Sequence, residues 1–352
     1  MLKDWKITYF KPDRPGVFYK ENRVCFAVDL GTAKDCAIII YDNAGEEREI
    51  SFDINAMNGT LAGIEIETGS DEEIFYNYLL DGHIVTDAYA PEVKGLEIWG
   101  DVKSMPRNTI GVAKCRHYDW EEDSPLRIPY ENSIIYGLGV RSYTMHKSSG
   151  VKFNGTFEGL AEKIPYLKSL GITAVELLPC FEYEECMPQE KPHKIYTELK
   201  EKDLQGVTEP KIRLNCWGFQ KGYYFAPKAS YSAWKKPVES FKNLVKQMHK
   251  KGIEVLVQFY FPPEIKALYI LDVLKYWVKE YHVDGFRISG VNLPYRILTE
   301  DPVLKYTKMR FQYLPEEDTE KPGIPMKNIA VDNTGFFVDI RKYLKGDEGV
   351  IS

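Results

Sequence analysis

Tyr281 to Gly290, YHVDGFRISG, is the stretch whose reading decides the fold. Before it runs LYILDVLKYWVKEYH, where Leu268, Leu271, Leu274, Trp277, Val278 and Tyr281 recur at three- and four-residue spacings. That spacing predicts an amphipathic helix. Asp284-Gly285 then allows a tight turn into a short strand, Val283 to Ser289. A helix feeding a short apolar strand is half of a βα repeat. In such folds function sits on residues at the carboxyl ends of the strands. Here those residues are Arg287 and Ser289.

The rest of the chain is read outward from this unit. Its 352 residues suffice for two domains. Hydrophobic residues make up 44% and charged residues 28%, a balance that supports sizeable cores and argues against disorder. A net charge of -6 leaves no basic footprint for nucleic acid. No apolar run approaches the roughly 18 residues of a membrane span. The opening MLKDWKITYF does not read as a signal peptide, so a cytoplasmic location is expected. The 24 tyrosines suit sugar-binding surfaces and ordinary cores alike. Cysteines at 25, 36, 115, 180, 186 and 216 form no CxxC and are expected to stay reduced. A metal site on Cys180, Cys186 and Cys216 is weighed and not adopted. No cofactor is expected either: Gly137-Leu138-Gly139 lacks the third glycine of a dinucleotide loop, and there is no phosphate loop or HExxH.

Up to about residue 118 the chain reads as short strands with turn residues between them. Val24–Leu30, Cys36–Tyr41, Ala62–Thr68, Ile74–Leu80 and Gly111–Cys115 are strands, and Asp42 to Gly45 is a hairpin turn. That pattern suggests a β-sandwich. Polar, Pro-containing residues 119–132 read as a linker. From 133 onward strands and helices alternate, and six strands fall at 134–140, 172–178, 253–260, 284–289, 308–313 and 329–332. Between them lie an amphipathic helix ending at Gly171 (Phe157, Leu160, Ile164, Leu167, Leu170) and another from Val238 to Lys251 (Phe241, Leu244, Val245, Met248). Pro262-Pro263 is expected to open the next helix directly. Residues 180–232 form an excursion, whose charged first part, Glu182 to Gly206, reads as a mobile loop. A last helix is expected at Val338 to Leu344.

YWVKEYHVDGFRIS resembles the corresponding segment of the α-amylase family, glycoside hydrolase family 13, especially its pullulanase and debranching-enzyme branch. IIYGLGVRSYT, GTFEGLAEKIPYLKSLGITAVELLP, NCWGFQKGYYFAPKASYS and LTEDPVLKYTKMRFQYL resemble successive segments of the same branch. FYNYLLDGHIVTDAYAPEVKG resembles the end of the carbohydrate-binding-type sandwich that precedes those barrels, with Trp99 and Trp120 as exposed aromatic candidates. The resemblance implies an immunoglobulin-like β-sandwich over 1–118, then an incomplete or shortened (β/α)8 TIM-type barrel over 133–352. Six strands are two short of the eight such a barrel needs. The chain also stops before the family's final His-Asp motif.

The scaffold matches, and the chemical positions do not. The family pattern GFRxD ends on the nucleophilic Asp, and here that position is Ser289. The general-acid Glu falls on Gln312. Gln258, Pro262 and Pro263 replace an Asp, an Asn and a His, and the substrate-lining loop after them is missing. A retaining glycosidase needs two carboxyl groups about 5–5.5 Å apart, and neither Ser289 nor Gln312 carries one. A serine nucleophile needs an adjacent base, and His282 lies roughly 20 Å away along the strand. Glu176 and Glu264 are the candidates for relocated carboxylates. Arg287 is left to orient a substrate or to fill the barrel mouth. The resemblance makes Arg287, Ser289, Gln312, Trp217, Phe219 and Tyr143 the candidate glucan-contacting residues. Trp217 and Phe219 read either as a stacking platform or as the core of the excursion. The expectation is a catalytically degenerate, pullulanase-like chain that binds α-glucan or regulates its metabolism. An active enzyme with a rearranged site and a structural protein without sugar binding are the alternatives, and self-association is possible.

Overall fold

The computed structural model describes residues 5–42, 45–68, 72–105, 107–115, 117–188, 212–315 and 326–347. Ten strands come first: β1 (Ile7–Phe10), β2 (Gly16–Lys20), β3 (Arg23–Asp29), β4 (Cys36–Tyr41), β5 (Glu47–Ser51), β6 (Leu61–Glu67), β7 (Glu73–Leu80), β8 (His83–Val85), β9 (Glu92–Lys94) and β10 (Ile110–Lys114). They form two antiparallel sheets, ordered β1-β6-β3-β2 and β5-β4-β7-β10-β9, with β8 paired to β7. Val24 and Phe26, with Ile64 and Ile66 from the first sheet, share one core with Ile38, Ile40, Tyr76 and Tyr78 from the second. Burying a side chain of this size contributes about 1.5–3 kcal/mol. β4 and β5 pair antiparallel as a hairpin requires. Asn43 and Ala44 of its turn lie outside the described residues, as do 189–206 of the expected mobile loop.

The second half is built on one parallel sheet: β11 (Ile135–Leu138), β12 (Ala174–Leu177), β17 (Glu254–Phe261), β18 (Gly285–Gly290), β19 (Lys308–Phe311) and β20 (Ile329–Val331), in that order. Two small antiparallel pairs, β13 (Phe181–Glu182) with β16 (Tyr223–Pro227) and β14 (Cys186–Pro188) with β15 (Ile212–Leu214), make up the excursion. The helices are α1 (Val140–Thr144), α2 (Phe157–Ala161), α3 (Ile164–Ser169), α4 (Pro237–Lys250), α5 (Ala267–Tyr281), α6 (Tyr295–Glu300) and α7 (Thr334–Lys345).

Several expectations need correction. The strand read over 134–140 ends at Leu138, and α1 begins at Val140 and carries Tyr143. The helix read from Phe157 to Leu170 is two short ones, because Pro165 in the first turn of α3 lacks an amide hydrogen to continue α2. Leu170 is exposed. α5 buries Ile270, Val273, Leu274, Trp277 and Tyr281, whereas Leu268 is exposed in its first turn. Pro262-Pro263 does not start α5. The Ile265 amide donates to the Pro262 carbonyl at 3.1 Å, a turn that delays the helix to Ala267.

Trp99 and Trp120 are not exposed platforms. Trp99 stacks on Tyr231 with ring centroids 5.7 Å apart, and Trp120 stacks on His282 at 3.8 Å. Trp99 packs against Tyr183 and Tyr231 and Trp120 against His282 at the amino end of β18, so each is half-buried with a ring face taken by the second half of the chain. The stretch 119–132 is likewise held down. The Leu126 amide donates to Asp284 Oδ1 at 3.3 Å and the Ile128 amide to Glu254 Oε1 at 2.8 Å, both at the amino ends of the strands.

Candidate functional site

Side chains alternate along a strand, so Arg287 and Ser289 share the inner face of β18 with Gly285. On β19 the same face carries Lys308 and Arg310, and on β17 Glu254 and Gln258. Register puts Gln258 beside Arg287 and Arg287 beside Arg310. Two guanidinium groups on adjacent strands repel unless anions lie between them. Asp332, just past β20, takes Arg287 Nη2 at 2.8 Å and Arg310 Nε at 2.6 Å. Glu176 on β12 takes Arg310 Nη1 at 2.7 Å and Gln258 Nε2 at 2.6 Å. The sheet interior thus holds a chain of two cations and two carboxylates, Arg287–Asp332–Arg310–Glu176, in which Arg287 Nε is buried without a hydrogen-bond partner among the described residues. Burial lifts the Glu176 carboxyl above its ordinary range, against the pull of Arg310. Burial acts the same way on Asp332, but its bonds to Arg287 and Arg310 prevail and hold it low.

At the carboxyl end of β18 the Ser289 hydroxyl donates to the Phe259 carbonyl at 3.1 Å. Its proton goes to a backbone acceptor rather than to a base. Gly290 follows at φ +150, and any β-carbon there would strike the Phe261 carbonyl. Gln312 follows β19 and is exposed. Glu264 is also exposed, in the turn between β17 and α5, so it does not converge with Glu176. His282 lies beyond the opposite, amino end of β18, bonded to Asp123 at 2.7 Å.

Trp217 and Phe219 do not form the core of the excursion: they are 64% and 37% exposed. Asn215 Oδ1 accepts from the Trp217 and Gly218 amides at 3.0 Å each, which fixes the turn and turns the indole outward. Trp217, Tyr136, Tyr143, Ser142 and Gln258 line a cleft of about 440 Å³ beside β11. Tyr136 and Tyr143 meet edge to face. Gln258 Oε1 is buried at the base of this cleft without a hydrogen-bond partner among the described residues. Phe219, Arg287, Ser289 and Gln312 do not line it. Sequence reasoning missed Tyr136 here, along with Arg310 and Asp332 in the network.

The three cysteines weighed as metal ligands are not brought together. All are free, Cys180 is buried and Cys216 exposed. The group that does converge is Glu184, Glu185 and Cys186, and protein cations occupy its surroundings. Arg107 Nη2 lies 3.1 Å from Glu185 and 2.9 Å from Cys186 Sγ. The buried Lys228 ammonium bonds Glu182 at 2.8 Å and Glu185 at 3.0 Å.

No protein-family model matches the chain. It is 28% identical over 289 residues to chloroplastic isoamylase 1 of Arabidopsis thaliana, covering 63% of this chain and 35% of that protein. It is 25% identical over 330 residues to the glycogen operon protein GlgX homolog of Haemophilus influenzae, covering 75% and 46%. The fold matches a pullulanase from Paenibacillus barengoltzii, solved with maltohexaose and α-cyclodextrin, at a TM-score of 0.67 and 20% identity, over 92% of this chain and 58% of that one. The homologues include isoamylases, debranching enzymes of the α-amylase family, and the fold is pullulanase-like. The chain spans 35% and 46% of the length of these two curated relatives. No described helix is long and apolar enough to cross a membrane.

Proposed function

We propose that this chain is a non-catalytic α-glucan-binding protein of glycogen or starch metabolism, built as an immunoglobulin-like sandwich over 1–118, a connector over 119–132 and a shortened α-amylase-type barrel from 133 onward. The observation that carries the loss of catalysis is Ser289. It stands where the resemblance places the nucleophile, and its hydroxyl is committed to the Phe259 carbonyl. The nearby carboxylates, Glu176 and Asp332, are each held by arginine. Asp332 is held ionised by two guanidinium groups and has no proton to deliver, and Glu176 is committed to Arg310 and Gln258.

Glucan binding is supported by the cleft. Trp217, Tyr136 and Tyr143 offer aromatic faces, and Ser142 and Gln258 line the same cleft as polar residues, which suits a sugar. Arg287 is given to the internal network rather than to substrate. The packed positions of Trp99 and Trp120 favour a supporting role for the N-terminal half over glucan binding. The free cysteines fit a reducing compartment, and a cytoplasmic location is part of this reading. Titration with maltotriose to maltoheptaose should give saturable binding that is weakened in Trp217→Ala, with no reducing sugar released from pullulan. Absence of binding would leave a structural role.

One observation favours an active alternative: Glu176 and Asp332 both grip Arg310, so two carboxylates flank a single side chain. Turnover abolished by Glu176→Gln would establish that reading.

A further inference from the structure

A second cleft, of about 370 Å³, lies between the N-terminal sheets and α5, away from the sheet mouth. That volume falls within the roughly 300–1,000 Å³ of small-molecule sites, which favour domain junctions. Its helical wall is the polar flank of α5, where Asp272, Lys275, Tyr276, Lys279 and Glu280 recur at helical spacing. Its facing wall is Arg14 to Tyr19, with Lys114 from β10.

The floor is aromatic. Tyr89 and Phe225 meet at 4.8 Å and Phe225 and Tyr276 at 4.9 Å between ring centroids. The walls are fixed to each other: the Tyr89 hydroxyl donates to Asp272 at 3.3 Å and the Tyr269 hydroxyl to the Ala88 carbonyl at 2.7 Å. Gly16, at φ +120, lies against the Tyr89 ring where a β-carbon would come to 3.3 Å.

The rim is cationic: Arg14, Lys114, Lys275 and Lys279. Of the two carboxylates beside them, Glu280 is paired with Lys242 at 2.5 Å, whereas Asp272 accepts from the neutral Tyr89 hydroxyl and keeps a charge that Arg14 and Lys275 offset. Lys275 pairs with Asp301 at 2.9 Å and Lys114 with Glu73 at 3.6 Å. Arg14 and Lys279 make no ion pair among the described residues, and the Arg14 guanidinium lies 4.6 Å over the Phe18 ring. A chain of net charge -6 has gathered four cations around one aromatic floor.

We propose that this cleft binds a small ring-bearing phosphate ester, its ring on Tyr89, Phe225 and Tyr276 and its phosphate between Arg14 and Lys279. Sugar phosphates and nucleoside monophosphates share that chemistry. Glucose 6-phosphate, AMP, inorganic phosphate and glucose, each titrated into the full chain by calorimetry at low salt, test it. At least one ring-bearing phosphate should saturate, and about tenfold more tightly than inorganic phosphate or glucose. AMP alone would assign a nucleotide, and glucose 6-phosphate alone a sugar phosphate. The double variant Arg14→Gln, Lys279→Gln alters two exposed side chains and should weaken that binding about tenfold through loss of charge-assisted hydrogen bonds. Trp217→Ala, in the other cleft, should leave it unchanged. No saturation by either ester, equal affinity for inorganic phosphate, or insensitivity to the double variant would overturn the proposal.

Discussion

Arg310 Nη1 lies 2.7 Å from Glu176 Oε2, although β17 and β18 separate their strands. Neighbouring strands are about 4.8 Å apart, so three intervals on a flat sheet would set these strands roughly 14 Å apart. The contact measures how far the sheet has curled. It also fills the inside of the curled sheet with protein charge. Restoring two carboxylates at the mouth should therefore achieve little: Ser289→Asp with Gln312→Glu is expected to leave pullulan and glycogen uncut. Correct positioning accounts for much of an enzyme's acceleration, and Pro262-Pro263 and the Arg310 network remain. Recovered release of reducing sugar by the double variant would refute this.

Removing Arg310 should harm the fold rather than open a site. The Glu176 side chain is 3% exposed and would be left facing Gln258 alone. Stranding a buried charge costs about 3–5 kcal/mol. Arg310→Met should lower the denaturation midpoint strongly, and adding Glu176→Gln should recover much of the loss. If the single and double variants unfold alike, the pair is not coupled.

How far this site was legible in the sequence depends on distance along the chain. Arg287 stood out because it sits in a recognisable local pattern with Ser289. Arg310 carried a local signal too, two residues before Gln312 and two after Lys308 on one strand face. Asp332 carried none. It lies 45 residues from Arg287, and only the curl of the sheet brings it within 2.8 Å. The aromatic cleft was half visible. Trp217 and Tyr143 were identified, but periodicity cannot say whether an aromatic residue in an irregular excursion faces solvent or core. The fold was easier: β4, β17 and β18 are dense apolar runs bounded by turn residues, and α4 and α5 show clear periodicity. Their ends were harder, because Pro165 and Pro262 act through hydrogen bonds that a hydrophobic pattern does not register.

Stability should fall as pH rises past neutrality, and His249 is the reason. Its Nδ1 lies 2.8 Å from Asp123 and its Nε2 2.8 Å from Asp284. Both nitrogens can donate only when the ring is an imidazolium. Burial alone would lower its pKa, yet bonds to Asp284 and Asp123 raise it above the ordinary value. A folded pKa above the unfolded one adds stability that is complete below the unfolded pKa, near 6.5, and lost as pH climbs through the folded one. Thermal midpoints measured from pH 5 to 9 should decline on the alkaline side, less steeply in His249→Gln. An unchanged slope in that variant would assign the decline elsewhere.

Trp217→Ala should separate binding from stability. An exposed indole adds little to the core, so the thermal midpoint should stay within about 1 °C, as surface changes usually do. Loss of one stacking face is worth about 0.5–1.5 kcal/mol, a weakening of roughly 2- to 12-fold for maltooligosaccharides. Phe219→Ala, outside the cleft lining, should change affinity less. A larger effect from Phe219 would move the glucan path toward β16.

Self-association is the last expectation, and it rests on two surfaces. Among the described residues β11 and β20 each pair on one side only, which leaves backbone donors and acceptors open at both sheet edges. Beside β11, Ile134 is 58% exposed, and α7 holds Phe336, Phe337, Ile340 and Tyr343 in solvent. Apolar area of that kind, contiguous along one helix, is unusual on an isolated chain. A second copy laid against α7 would cover it. Sedimentation velocity should show a species heavier than 40.7 kDa at micromolar concentration. The double variant Phe337→Asp, Ile340→Asp should return it to that mass while leaving maltooligosaccharide binding intact. A wild-type chain that sediments as a monomer throughout would show that these surfaces do not drive association.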